Sequence, residues 1–95
     1  MPQTKPSANS QDDAITETIL TLTRERGNEK TICPSEAARA LTGPDPDIWG
    51  AMMPHVRKAA ITLAREGRVV IYRKGKPIAP EDLKGVYRIG LQRAD

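Results

Sequence analysis

The sequence is poor in aromatic residues. Phenylalanine is absent, and one tryptophan and two tyrosines are the only aromatic residues among 95. A chain of this length forms one small domain with a single core, which must therefore be mainly aliphatic. Platforms for single-stranded nucleic acid stack successive bases on several exposed rings, and three aromatic residues disfavour such a platform.

Cysteine and histidine occur once each, as Cys33 and His55. One cysteine cannot form an internal disulfide, and one cysteine with one histidine cannot complete a structural zinc site. We therefore expect no metal and no cofactor. No apolar run approaches the roughly 20 residues that cross a bilayer, and the polar first ten residues do not resemble a secretory signal. These absences predict a soluble cytoplasmic domain without membrane contact.

Charge is divided unevenly along the chain. Residues 1–53 carry five basic and eight acidic side chains, a balance of −3, whereas residues 54–95 carry ten basic and four acidic, a balance of +6. Such asymmetry is typical of chains that contact a polyanion. A basic isoelectric point also occurs in proteins that bind nothing anionic, so the charge alone does not establish a partner.

A polar tail precedes the first helix signal. Residues 1–10 contain two prolines and no apolar pattern, which predicts a disordered tail before a domain at residues 11–92. Ser10 suits the N-cap of the first helix, and Gly27 suits the position after its last turn. One stripe of the helix would be apolar, with spacing i, i+4 and i+7: Ile15, Ile19 and Leu22.

Proline and acidic residues mark the start of two further helices. In Cys33–Glu36 the proline suits the first helical position and Glu36 the capping position, so Ala37–Leu41 is predicted as a short helix. Asp45–Asp47 repeats the signal. Pro54 interrupts the apolar pattern that follows: either the helix kinks there, or a short turn precedes a main helix over Pro54–Glu66.

The pattern changes to strands after Gly67. Val69–Tyr72 and Val86–Leu91 are predicted as strands that pair antiparallel, with Arg73–Lys84 as a basic loop between them. Thr31-Ile32 is long enough only for a stub of strand. Three helices followed by a β-hairpin predict an α+β fold, a three-helix winged helix-turn-helix with a C-terminal hairpin wing. In this arrangement Pro54–Glu66 is the recognition helix and the basic loop is the wing.

The stretch Cys33-Pro34-Ser35-Glu36, followed by Trp49, is the most specific part of a broader likeness between Asp12 and Leu91. The chain resembles a small uncharacterised bacterial family, a domain of unknown function. The resemblance implies a winged-helix-like fold and supplies no established activity. Some relatives carry a label as S-adenosylmethionine-dependent transferases acting on tRNA. This chain is short for such an enzyme and has no glycine-rich cofactor loop. Further segments carry the likeness: Thr31–Arg39, Met52, Val56–Ala60, Leu63–Gly67, Lys74–Pro77, Pro80 and Gly85–Ile89.

The basic residues of the predicted recognition helix and wing are the main functional signal. Long cationic side chains on rigid elements contact phosphates, and release of counterions makes such contacts favourable. The alternative is a solvated face that keeps a small domain soluble. Because the helix is rich in alanine, the expected contacts are to the nucleic-acid backbone more than to base edges. Nine candidate residues result: Arg57, Lys58, Arg65, Arg68, Arg73, Lys74, Lys76, Lys84 and Arg88.

No residue pattern predicts an active site. Cys33 at a helix start has only His55 as a base and lacks a third orienting group. Trp49, with its neighbouring methionines, is interpreted as core rather than as a ligand cradle. We therefore expect no enzyme. The favoured function is nucleic-acid binding, as a small DNA-binding or regulatory protein. A protein-interaction module is the alternative, and an accessory piece of an RNA-modifying enzyme is a remote third. The oligomeric state is not indicated.

Overall fold

Three helices and four short strands make up the computed structural model, which describes residues 10–27 and 30–91. Apart from Ser10, the predicted tail lies outside these residues. Ser10 itself is the first residue of the first helix rather than a cap before it. The elements are α1 (Ser10–Arg26), β1 (Thr31–Ile32), α2 (Pro34–Thr42), α3 (Pro46–Arg65), β2 (Val70–Arg73), β3 (Lys76–Ile78), a 3-10 turn (Pro80–Asp82) and β4 (Arg88–Gly90).

The strands form one antiparallel sheet in the order β1-β4-β2-β3. The predicted pairing of the two main strands is confirmed, with Ile71 of β2 opposite Ile89 of β4. Ile32 of β1 lies on the other side of Ile89. Three helices with this small sheet form an α+β architecture consistent with a winged-helix-like fold, as the sequence predicts.

The core is aliphatic, as the scarcity of aromatic residues requires. Trp49 is only half-buried and packs against this core from outside. The guanidinium carbon of Arg39 lies 5.9 Å from the centroid of its indole ring. Trp49 therefore borders the core instead of filling its centre. The largest fully buried side chains come from α1, α3 and three strands: Ile15, Ile19, Thr23, Ile32, Val56, Leu63, Ile71 and Ile89.

Of the two alternatives at Pro54, a helix that continues through the proline or a short turn before a new helix, the structure shows the continuous helix, because α3 runs unbroken from Pro46 to Arg65. A proline inside a helix removes the hydrogen bond to the carbonyl four residues earlier and crowds it, which costs about 3 kcal/mol. Here that carbonyl belongs to Gly50, which has open space around its α-carbon. Burial of Val56 and Leu63 in the following turns offsets the loss.

The loop predicted after β2 contains an additional strand. Lys74 and Gly75 have φ of 54° and 81° and form a two-residue turn that folds β3 back onto β2. Pro77 lies opposite Tyr72 within this pair. Proline is compatible with the strand because β3 is at the sheet edge, where one side of the backbone needs no donor. The wing, defined from here on as residues 74–87, thus joins β2 to β4 through β3 and the 3-10 turn.

Glu36 links the start of α2 to the end of α1. Its carboxylate accepts a hydrogen bond from the backbone N–H of Cys33 at 2.9 Å and pairs with Arg26. Arg26 also donates to the Thr31 carbonyl at 3.0 Å. Burial of the Glu36 carboxyl opposes its ionisation, but the Cys33 hydrogen bond and Arg26 outweigh that effect and lower its pKa below the ordinary 4.5.

Replacing Glu36 is expected to weaken the fold. Glu36→Ala removes both the cap and the ion pair and should cost about 1–3 kcal/mol in urea unfolding at neutral pH. Glu36→Gln keeps an acceptor and should cost less. Because the folded-state pKa is lowered, the ionic contribution is present above pH 4.5 and disappears as the pH falls through the lowered value. Glu17→Ala, at an exposed position on α1, is the control; an equal loss there would contradict this role.

Tyr87 ends the wing with a buried hydroxyl. The side chain is 7% exposed and belongs to the core cluster. Its hydroxyl has no hydrogen-bond partner among the described residues. Burial raises the pKa of the Tyr87 phenol to about 12. An unpaired buried hydroxyl destabilises a fold, whereas an apolar group of the same shape does not.

We expect Tyr87→Phe to be as stable as the parent protein or up to about 1 kcal/mol more stable near pH 8. Above pH 10 the unfolded phenol loses its proton while the buried one keeps it, so the parent loses stability as the pH rises toward 12. The Tyr87→Phe variant has no phenol to ionise at this position. Its free energy of unfolding relative to the parent should therefore be more favourable at about pH 11 than near pH 8. A variant clearly less stable at both pH values would show that the hydroxyl has a partner.

Candidate nucleic-acid interface

The outer side of α3 carries exposed polar and cationic residues. Lys58, Thr62 and Arg65 are exposed and follow each other at i, i+4 and i+7, along one stripe of the helix. The opposite side of the same helix is buried, with Val56 and Leu63 in the core. The core contacts therefore determine which side chains α3 presents to solvent.

The wing lies directly beside α3. The Arg57 Nη2 atom donates a hydrogen bond to the Leu83 carbonyl at 2.8 Å. About two turns from it toward the C-terminus of α3, Arg65 Nε lies 3.7 Å from a carboxylate oxygen of Glu81 in the 3-10 turn. The Leu83 side chain is buried in the core. These contacts place Arg57 and Arg65 next to the middle of the wing.

Three exposed lysines extend the cationic surface along the wing. Lys74 lies in the two-residue turn, Lys76 follows it, and Lys84 comes directly after buried Leu83. Lys76 is opposite Arg73, in the register that places Ile71 opposite Ile78. Side chains alternate along a strand, so Arg73 and Lys76 project to the same side of the sheet as the core isoleucines. That side faces the helices.

Arg73 is partly withdrawn from solvent. Its side chain is half-buried, and a β-carbon placed at Gly85 would lie 3.3 Å from Arg73 Nη2. Gly85 adopts a φ of 67°, so glycine both permits this turn and leaves space for the guanidinium. The Arg73 Nε atom is buried with no hydrogen-bond partner in the described part of the chain. The Arg73 side chain thus packs against the wing at Gly85. It is less accessible to a binding partner than the exposed wing lysines.

Arg88 is not brought together with the other candidates. It precedes Ile89, whose side chain faces the core, so Arg88 projects from the opposite side of the sheet. Its guanidinium donates to the Thr31 hydroxyl at 2.6 Å and to the Thr31 carbonyl at 3.1 Å. Arg88 therefore stabilises the pairing of β1 with β4.

Arg68 lies past the end of α3, on the side of α1, where it lines a cleft with Lys58. The structure thus groups six of the nine candidates on α3 and the wing. This group is named the basic surface: Arg57, Lys58, Arg65, Lys74, Lys76 and Lys84.

Few carboxylates oppose these cations. Arg65 faces Glu81, and Arg68 faces Glu66 at 3.8 Å, with every one of these side chains about half or more exposed. Exposed pairs of this kind contribute at most about 1 kcal/mol and exchange readily for other anions. Among the acids of the first half, Asp13 lines the cleft beside Lys58 without forming an ion pair with it, whereas Glu17 and Glu25 border a groove between α1 and α2.

Several contacts of this region have no signal in the sequence. The hydrogen bond from Arg57 to a backbone carbonyl 26 residues away is one of them, because no residue type or spacing indicates which carbonyl an arginine will contact. Another is the cleft that α1 forms with α3, whose hydroxyl groups come from Thr16 and Thr62. For this region the sequence predicted only that cations would cluster after residue 54.

Groups suited to catalysis or metal binding are sparse in the described ranges. The Cys33 thiol is half-buried and lies 3.2 Å from the Ser35 hydroxyl, and His55 is exposed on α3. Residues 10–27 and 30–91 contain no group of three or more histidine, cysteine or acidic side chains placed to hold a metal ion. No helix in these ranges is long and apolar enough to cross a membrane.

Comparison with known proteins identifies the family. Residues 12–92 match the family described as "Protein of unknown function (DUF3253)". A search of curated proteins finds no match. The resemblance to an uncharacterised family of unknown function, seen first in the Cys33–Glu36 stretch, is thereby confirmed. The match covers most of the sequence, and the chain therefore belongs to the DUF3253 family.

Proposed function

We propose that this protein binds double-stranded nucleic acid through the basic surface, as a small DNA-binding or regulatory protein. The observation that carries the proposal is the contact of Arg57 with the Leu83 carbonyl, because it joins the cationic side of α3 to the cationic wing. A helix with a basic loop beside it suits a groove and its flanking phosphates. Duplex DNA is favoured over duplex RNA, whose deep, narrow major groove does not admit a helix.

The available side chains favour contacts to the phosphate backbone. Lys58 and Arg65 are long cations on a helix fixed by the core, and the wing lysines are exposed. Between the cations, α3 offers only Thr62 and His55 as exposed groups able to hydrogen-bond base edges. Binding would therefore depend strongly on salt and weakly on sequence.

A protein-interaction module is the second candidate. It is favoured by two exposed apolar side chains, Val86 in the wing at 85% exposure and Ile48 near the start of α3 at 51%. Isolated exposed apolar residues are common, however, and need no partner to explain them. The nucleic-acid proposal is therefore placed first.

The salt dependence of binding tests the proposal. We expect the protein to bind labelled duplex DNA with a negative slope of log K against log salt, measured by fluorescence anisotropy. The double variant Lys74→Ala/Lys76→Ala should weaken binding and reduce the slope by about 1.8, at about 0.9 for each lost phosphate contact. The charge-matched control is Arg24→Ala/Lys30→Ala, which changes exposed cations outside the basic surface. Its slope should equal that of the parent.

Two results would contradict the proposal. Absence of binding even at low salt would leave the interaction module ahead. An equal reduction of the slope in both double variants would show that net charge, rather than this surface, governs binding.

A second test separates the two roles of Arg57. Arg57→Gln and Lys58→Gln each remove one α3 cation, and both should weaken DNA binding. Only Arg57→Gln leaves the Leu83 carbonyl without its donor, so it should also lower the free energy of unfolding by about 1–2 kcal/mol. Lys58→Gln should change the stability by less than about 0.5 kcal/mol. Equal stability of the two variants in urea titrations would show that Arg57 does not hold the wing.

A further inference from the structure

A cleft of about 310 Å³ separates the N-terminal half of α1 from the C-terminal half of α3. Polar groups line both walls: Asp13 and Thr16 on α1, Lys58 and Thr62 on α3, and Glu66 and Arg68 beyond its end. This space is distinct from the wing side of α3, where Arg57 and Arg65 make their contacts. Concave sites with a few convergent polar groups are the usual places for small ligands.

The cleft contains two acidic and two basic side chains: Asp13, Glu66, Lys58 and Arg68. Asp13 and Lys58 lie on facing walls, yet no ion pair or hydrogen bond joins them in the structure as described. Arg68 and Glu66 do form an ion pair, at 3.8 Å, but both side chains are about half exposed and such a pair exchanges readily for other anions. A purely anionic or purely cationic ligand would meet repulsion from one member of each pair. A ligand with both charges, separated by a short distance, would satisfy both walls at once.

The chemistry of the walls and floor specifies the ligand further. Lys58 and Arg68 can donate to a carboxylate, and Asp13 can accept from an ammonium group. The threonine hydroxyls can do either. The floor is formed by Ala59 and Leu63, which suits an aliphatic side chain. We propose that this cleft binds a free aliphatic α-amino acid, with its carboxylate on Lys58 and Arg68 and its ammonium group on Asp13.

Lys58 belongs to both the cleft and the basic surface. A ligand carboxylate on Lys58 would occupy a cation that a phosphate also needs, so the amino acid would weaken nucleic-acid binding. This regulatory consequence rests on the proposed function. Binding of the amino acid does not, and it is measured without nucleic acid, so failure of one proposal is distinguishable from failure of the other.

Nuclear magnetic resonance of the ¹⁵N-labelled protein tests the site. Titration with L-leucine should shift the amide signals of residues 13–16 and 58–66 along saturable curves. Two analogues each lack one charge: 4-methylpentanoate has no ammonium group, and 3-methylbutylamine has no carboxylate. Each should bind about 10-fold more weakly or worse, equivalent to about 1.4 kcal/mol.

Variants of the cleft provide the matched comparison. Asp13→Asn and Lys58→Gln should each weaken L-leucine binding by about 10-fold, since each removes the partner of one ligand charge. Glu17→Gln and Lys30→Gln change the same charges at exposed positions outside both the cleft and the basic surface and should bind like the parent. Absence of saturable shifts would overturn the proposal. Equal affinity for leucine and its singly charged analogues would also overturn it, as would equal effects of cleft and control variants.

Discussion

Leu83 connects the wing to the helical part of the molecule through both its side chain and its backbone. The side chain is buried with the core residues of α1 and α3, and the carbonyl accepts the hydrogen bond from Arg57. Together with the exposed Arg65–Glu81 pair, this attachment positions the 3-10 turn and the neighbouring lysine relative to α3. The surface that we propose for nucleic acid depends on this contact, because it joins two cationic segments that are distant in sequence.

The candidate cations differ in their contacts and therefore in their roles. Lys58 and the wing lysines are exposed and unpaired by any described carboxylate, so they are available to phosphates. Arg73 is half-buried against Gly85, and Arg88 bonds to Thr31 on the far side of the sheet. These two arginines carry the same charge as the lysines but serve the wing and the β1–β4 pairing.

Local sequence signals predicted the element order well because they act within one turn of backbone. Pro34 and Glu36 identified the start of α2, and Asp45 accepts from the Asp47 N–H at 3.0 Å at the start of α3. Pro54 left two alternatives open because propensity measures only the local cost of a proline, whereas burial of the following turns depends on tertiary packing. The β3 strand was missed because Pro77 signals a loop unless its edge position is known.

The basic surface was predictable in composition but not in geometry. Charge segregation after residue 54 indicated that cations would be enriched there, and six of the nine candidates lie on α3 and the wing. Strand register, which separates Arg88 from Lys76, depends on the pairing of β2 with β3 and β4. The cleft beside Lys58 depends on how α1 packs against α3. Neither property is encoded in a short stretch of residues.

Mapping a DNA duplex onto the protein by amide chemical shifts tests the central claim most directly. The account expects the largest perturbations at the exposed residues of α3 from 57 to 65 and in the wing around Lys74 and Lys84, diminishing as salt is added. Perturbations centred on the α1–α2 groove near Glu25, or on the Thr31–Arg88 side of the sheet, would contradict it. So would a spectrum unchanged by the duplex at low salt.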